Sequence, residues 1–164
     1  MNFQTEIKIS SERFKKLDIE AIKNISKQYK FSYLDILSVA YAESSFKPNT
    51  IHPVSNAAGM YQMKPWAIDR TGLKNINIYD PVEATHAATK FLHILRNVDY
   101  PKIKNIQPPQ TINNFEKLML LYHYGLRGTV ERLNMKDFPK ETKIYISNLR
   151  KGYKIAFNIL SKKK

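Results

Sequence analysis

The sequence contains no cysteine, which removes disulfides, thiolate metal sites and cysteine nucleophiles from the chemistry open to it. Glycine is scarce too, with five in 164 residues. So few glycines argue against a glycine-rich phosphate loop and against a β-fold built on many tight turns. No stretch reaches the roughly 20 apolar residues that a membrane helix needs. The opening residues, Met1-Asn2-Phe3-Gln4-Thr5-Glu6, show no basic segment followed by an apolar one, so they do not read as a secretory signal. Acidic residues are also few, 14 against 27 basic ones, for a net charge of +13. A surface of that sign is drawn to a polyanion such as nucleic acid, anionic lipid or an anionic cell wall. The basic residues are spread along the chain, so charge alone does not choose among these, and a basic surface that only aids solubility is an equal reading.

What is present is an ordinary globular balance, 43% hydrophobic and 25% charged, in a length that suits one domain over residues 1–164. Residues 1–10 read as a loose leader and 161–164 as a basic tail. Helical spacing of Phe14, Leu17, Ala21, Ile22, Ile25 and Tyr29 predicts a helix within 11–30. Ser32 followed by Asp35 predicts a capping box that opens a second helix from Tyr33 to about Ser45. Pro65 opens a short helix, and Asp80-Pro81 another, with proline at its first position. Residues 99–112, with Pro101, Pro108 and Pro109, read as a surface loop. Helices are expected again at about 113–123, 127–134 and 140–160. The fold class is therefore mainly α.

The helix from Tyr33 is apolar on almost every side, through Leu34, Ile36, Leu37, Val39, Ala40, Tyr41 and Ala42. Such a helix is buried. Glu43 falls in its row Ile36, Val39, Ala40, Glu43, Phe46, spaced by three and four. A carboxylate there is partly desolvated, and the last turn of a helix disfavours an anion as well. Both influences favour the protonated form, which cleavage of a glycosidic bond requires of a general acid. On this pattern alone, a glutamate reaching solvent or pairing with an arginine at a helix end is an equally good account.

The surrounding motifs favour the acid. Glu43-Ser44-Ser45-Phe46-Lys47-Pro48 is followed by Gly59-Met60-Tyr61-Gln62-Met63-Lys64-Pro65, then Tyr122-His123-Tyr124-Gly125, then Glu141-Thr142-Lys143-Ile144-Tyr145-Ile146. In this order they resemble the soluble-type (SLT) lytic transglycosylases, relatives of goose-type lysozyme, across about residues 30–150. The resemblance implies a single lysozyme-like domain with a cleft. It implies cleavage of the β-1,4 bond between N-acetylmuramic acid and N-acetylglucosamine in peptidoglycan, with Glu43 as acid and then base and a 1,6-anhydro sugar as product. Ser44, Gly59, Gln62, Tyr122, Glu141 and Tyr145 stand at positions expected to contact or shape the sugar site, Tyr122 close to the catalytic carboxyl. His52 and His123, both departures from the family pattern, are expected to contact substrate in this chain. Lys64, Tyr61 and Tyr124 depart from it too.

The resemblance implies no cofactor. No metal is expected either: His86 and His93 are seven apart on one predicted helix, too far for an i, i+4 zinc pair. Trp66 and the tyrosines suit stacking on sugars or burial equally. Two competing functions share the fold: a lysozyme that hydrolyses the same bond, and a non-catalytic wall-binding module. A nucleic-acid binder would need a recognisable basic element or stacking platform, and none stands out. The partner expected is the glycan strand at the bacterial cell wall, bound by a monomer. Without a visible signal, delivery by a phage or secretion apparatus, another export route, or a trimmed leader is expected.

Overall fold

A computed structural model describes residues 1–162. Among the described residues there are seven α-helices: α1 Phe3–Phe14, α2 Ile19–Gln28, α3 Tyr33–Ser44, α4 Pro65–Thr71, α5 Pro81–Val98, α6 Asn114–Leu133 and α7 Lys140–Ser161. Among the described residues there is no strand, only isolated bridges joining Ile51 to Ala58 and Ala58 to Met63. Most of the helices begin where a short polar side chain can satisfy a free backbone N–H. Asp18 accepts from the Ala21 amide, and Asp80 from those of Val82 and Glu83. At α6 the box is reciprocal, with the Glu116 amide donating to Asn113 at 2.7 Å and the Asn113 amide to Glu116 Oε1 at 2.9 Å.

Four expectations change. The helix expected within 11–30 is divided, with Phe14 closing α1 and Asp18 capping α2. The loose leader is helical from Phe3, because Ile7, Ser10 and Phe14 form an inward stripe that is buried. Glu6 anchors it, accepting from Lys151 Nζ at 2.8 Å and from the Tyr41 hydroxyl at 3.2 Å. The capping box at Ser32 and Asp35 does not form: α3 starts at the expected place with no side-chain cap. The two helices expected at 113–123 and 127–134 are one run broken at Gly125, whose φ of 73° and ψ of 178° interrupt it without ending it. Of the basic tail, Ser161 closes α7, and residues 163–164 lie outside the described residues.

One contiguous core joins all of these elements. At its centre α3 runs against α7, and five consecutive α3 residues, Ile36 to Ala40, are buried. The helices approach closely because Gly152 of α7 has no side chain. A Cβ there would lie 2.7 Å from the Tyr41 Cβ and 3.0 Å from the Ser38 carbonyl oxygen. This crossing places the end of α3 beneath the first half of α7, and the site forms there.

Candidate active site

Glu43 lies one residue before the end of α3, with its side chain 8% exposed. It borders a cavity of about 350 Å³ that Gln62, Lys64, Trp66, Tyr122 and His123 also line. The Tyr145 hydroxyl donates to Glu43 Oε1 at 2.7 Å, across 102 residues of sequence. Burial, then the Glu43 charge, then this hydrogen bond raise the Tyr145 phenol well above its ordinary value, so the group remains a donor. His123 stacks on the Tyr145 ring, with centroids 4.1 Å apart, and its Nδ1 sits 3.4 Å from the same Oε1. Both contacts fall on Oε1, which leaves Oε2 for a ligand. Among the described residues lining the cavity, Glu43 is the one carboxylate.

The backbone around Glu43 is held in conformations that L-residues seldom adopt. Ser45 and Phe46 have φ of 53° and 64°, and Gln62 has 47°. Such residues each cost on the order of 1 kcal/mol and persist only where their surroundings impose them. Here Arg13 Nη1 donates to the Ser45 carbonyl at 2.7 Å, and Phe14 packs edge-on against Phe46 with centroids 4.7 Å apart. Helix α1 thus braces, through Arg13 and Phe14, the turn that follows the carboxylate.

The other motif residues divide into those at the cavity and those behind it. The Gln62 Nε2 donates to the carbonyls of Thr50 and Gly59 at 3.1 and 3.0 Å, which fixes the amide with its oxygen free for a ligand. His52 lines the cavity while its Nδ1 accepts from the Ser55 amide at 3.2 Å. Tyr122 lines it too, and its hydroxyl donates to the Tyr61 carbonyl at 2.7 Å, while the hydroxyl bonded to the carboxyl is that of Tyr145. Burial first, then the Glu43 charge, raise the Tyr122 phenol well above its ordinary value. Ser44 is turned away from the cavity. Its hydroxyl donates to the Met60 carbonyl at 2.7 Å and accepts from the Lys47 amide at 3.1 Å, tying the end of α3 to the following loop. Gly59 faces neighbouring backbone: at φ 79°, a Cβ there would lie 2.2 Å from the Ile78 carbonyl oxygen. Glu141 stands 64% exposed in the first turn of α7, 3.8 Å from Arg132, and does not line the cavity.

The residues that close the second motif and follow it also contribute. Trp66, half exposed and edge-on to Phe91, presents an aromatic face at the rim, and Lys64 adds a cation beside it. His86 and His93 are committed elsewhere. Both pack on the Tyr29 ring, and His86 Nε2 lies 2.9 Å from its hydroxyl. Burial, then Lys90, lower the His86 imidazole below its ordinary value.

No helix among the described residues is long and apolar enough to cross a membrane. Residues 20–144 match the family model described as the transglycosylase SLT domain. The chain is also 28% identical, over 169 aligned positions, to the membrane-bound lytic murein transglycosylase E of Buchnera aphidicola subsp. Baizongia pistaciae (strain Bp). That alignment covers 94% of this chain and 78% of the relative.

Proposed function

This chain belongs to the transglycosylase SLT family of lytic transglycosylases, and from that premise we propose that Glu43 cleaves peptidoglycan glycan strands as a single acid that becomes a base. The proton on Oε2 passes to the oxygen linking N-acetylmuramic acid to N-acetylglucosamine, and the C1–O bond breaks. The carboxylate left behind accepts the proton of the muramic acid C6 hydroxyl as that oxygen bonds to C1. The product is a 1,6-anhydro sugar, no water is consumed, and Glu43 ends protonated as it began.

The observation that carries this reading is the solitary carboxylate in the cavity wall. Retaining and inverting hydrolases use two carboxyl groups across the scissile bond. With one, the second oxygen nucleophile is best supplied by the sugar itself. Tyr145 holds Oε1 by a hydrogen bond and so fixes the orientation of the carboxyl. Gln62 offers its amide oxygen to sugar hydroxyl or amide groups, and Trp66 offers a ring face for stacking. His52, Tyr122 and His123 complete the wall. A net charge of +13 suits an anionic cell wall as the place of action.

Mass spectrometry of purified peptidoglycan digested by the wild type and by Glu43→Gln tests the reading. Anhydromuropeptides from the wild type alone are expected. Reducing-end muropeptides would make the chain a hydrolase, and unchanged release by the variant would remove Glu43 from the mechanism.

A further inference from the structure

A second cavity, of about 590 Å³, shares no lining residue with the one at Glu43. Its walls come from the first half of α3, the segment leading into α6, and the later half of α7. It holds four charged groups, of which two are already matched. Glu116 is 5% exposed, and Arg150 donates to both its carboxylate oxygens, from Nε at 2.6 Å and Nη2 at 3.0 Å. Arg150 Nη2 also donates to the Thr111 carbonyl at 3.1 Å. That pair is internally neutral.

The other two charged groups are Asp35 and Lys154. Asp35 occupies the position from which it could cap α3, yet no side-chain cap is made there. Neither Asp35 nor Lys154 has an ion-pair or side-chain hydrogen-bond partner among the described residues. Burial first, and the nearby Glu116 second, push the Asp35 carboxyl up to about 6. Phe115, Leu149 and the ring of Tyr153, 40% exposed, give the same cavity an apolar wall. A half-buried carboxyl facing a cavity without a partner has a free energy to gain from a cation, and the lysine from an anion.

The geometry points to this cavity as a binding site for an amino-acid zwitterion with an aliphatic middle, its ammonium on Asp35, its carboxylate on Lys154 and its methylenes on Phe115 and Tyr153. Peptidoglycan stems carry free diamino-acid ends of this chemistry, and the identification with a stem rests on the function proposed above. Such a site would grip the peptide of a strand while the glycan lies at Glu43. A cation alone would be opposed by the overall positive charge, and an anion alone by Asp35. A ligand carrying both satisfies the wall.

Amide chemical-shift titration of the full chain with Nα-acetyl-lysine, which has the ammonium and the carboxylate, tests the assignment. Nα,Nε-diacetyl-lysine, lacking the ammonium, is the control. Saturable shifts confined to residues 35–38, 111–116 and 149–154 are expected with the first probe and not the second. Asp35→Asn should weaken binding about tenfold or more, the scale of one charge-assisted hydrogen bond. Lys154→Met should weaken it similarly, and both variants should keep wild-type amide spectra elsewhere. Glu43→Gln should bind as the wild type does, so a failed catalytic mechanism would leave this result standing. Equal binding of both probes, shifts mapping to the Glu43 cavity, or no saturable shift at all would overturn the proposal.

Discussion

Replacing Asp35 with asparagine should stabilise the protein at neutral pH. The carboxyl is raised from 3.8 to about 6 in the fold, chiefly by burial. A raised acid contributes its full share of stability only below the unfolded value near 3.8, and loses it as pH climbs through about 6. At pH 7 the wild type therefore carries the whole penalty. Two units correspond to about 3 kcal/mol in a fully shielded site. Asp35 is only partly shielded, and screening by water reduces this to roughly 1.5 kcal/mol. Its place in the first turn of α3 works the other way, since the helix dipole favours a carboxylate there by about 0.3–1 kcal/mol. Burial still prevails, and the net gain for the neutral isostere is about 1 kcal/mol, or roughly 2–4 °C in Tm for a chain of this size. Urea melts of both proteins from pH 4 to pH 8 give the answer. The gap should be about 1 kcal/mol at pH 7 and close towards zero near pH 4. A gap of opposite sign at pH 7, or one of equal size at both ends, would refute the reasoning.

Tyr145→Phe removes the one hydroxyl bonded to Glu43 and should cut kcat by about 10- to 100-fold, the worth of a hydrogen bond to a charged group, with KM little changed. Steady-state release of soluble muropeptides reads this, and unchanged kcat would show the contact to be idle. Gly152→Ala forces α3 and α7 apart where no Cβ fits, and should cost about 1–3 kcal/mol in urea unfolding. Because α7 carries Tyr145, the same variant should lose activity beyond what its unfolded fraction explains, measured well below its Tm.

Much of the fold was legible because local signals agreed with it. Asp80-Pro81 marks the start of α5, Pro65 that of α4, and the apolar run through Leu37 and Val39 announced that α3 would be buried. The misreadings come from interactions that no short window contains. Residues 1–10 look polar, yet Ile7 finds a core supplied by distant helices. Ser32 and Asp35 have the spacing of a capping box, but the cavity beside α6 and α7 draws Asp35 into a different setting. At the site, Glu43 stands at the end of α3, His52 and Gln62 on the loop that follows it and His123 on α6, each in or beside a motif legible in the sequence. The tyrosines were not separable by pattern. Tyr122 and Tyr145 both reach the same region, and only the crossing of α7 over α3 decides that Tyr145 touches the carboxyl while Tyr122 binds a backbone carbonyl. Glu141 sits in a matching motif, yet its place at the exposed start of α7 turns it to Arg132.

The 102 residues between Glu43 and Tyr145 also set an order of events during synthesis. At about 5–20 residues per second, a ribosome has exposed the carboxylate for roughly 5–20 s before the hydroxyl that steadies it exists. The N-terminal helix waits longer still, since Glu6 meets Lys151 across 145 residues. Contacts this distant form late and slow the search for the native state. On the mechanism proposed above, cleavage competence is therefore acquired late, when α7 docks and brings Tyr145 to Glu43.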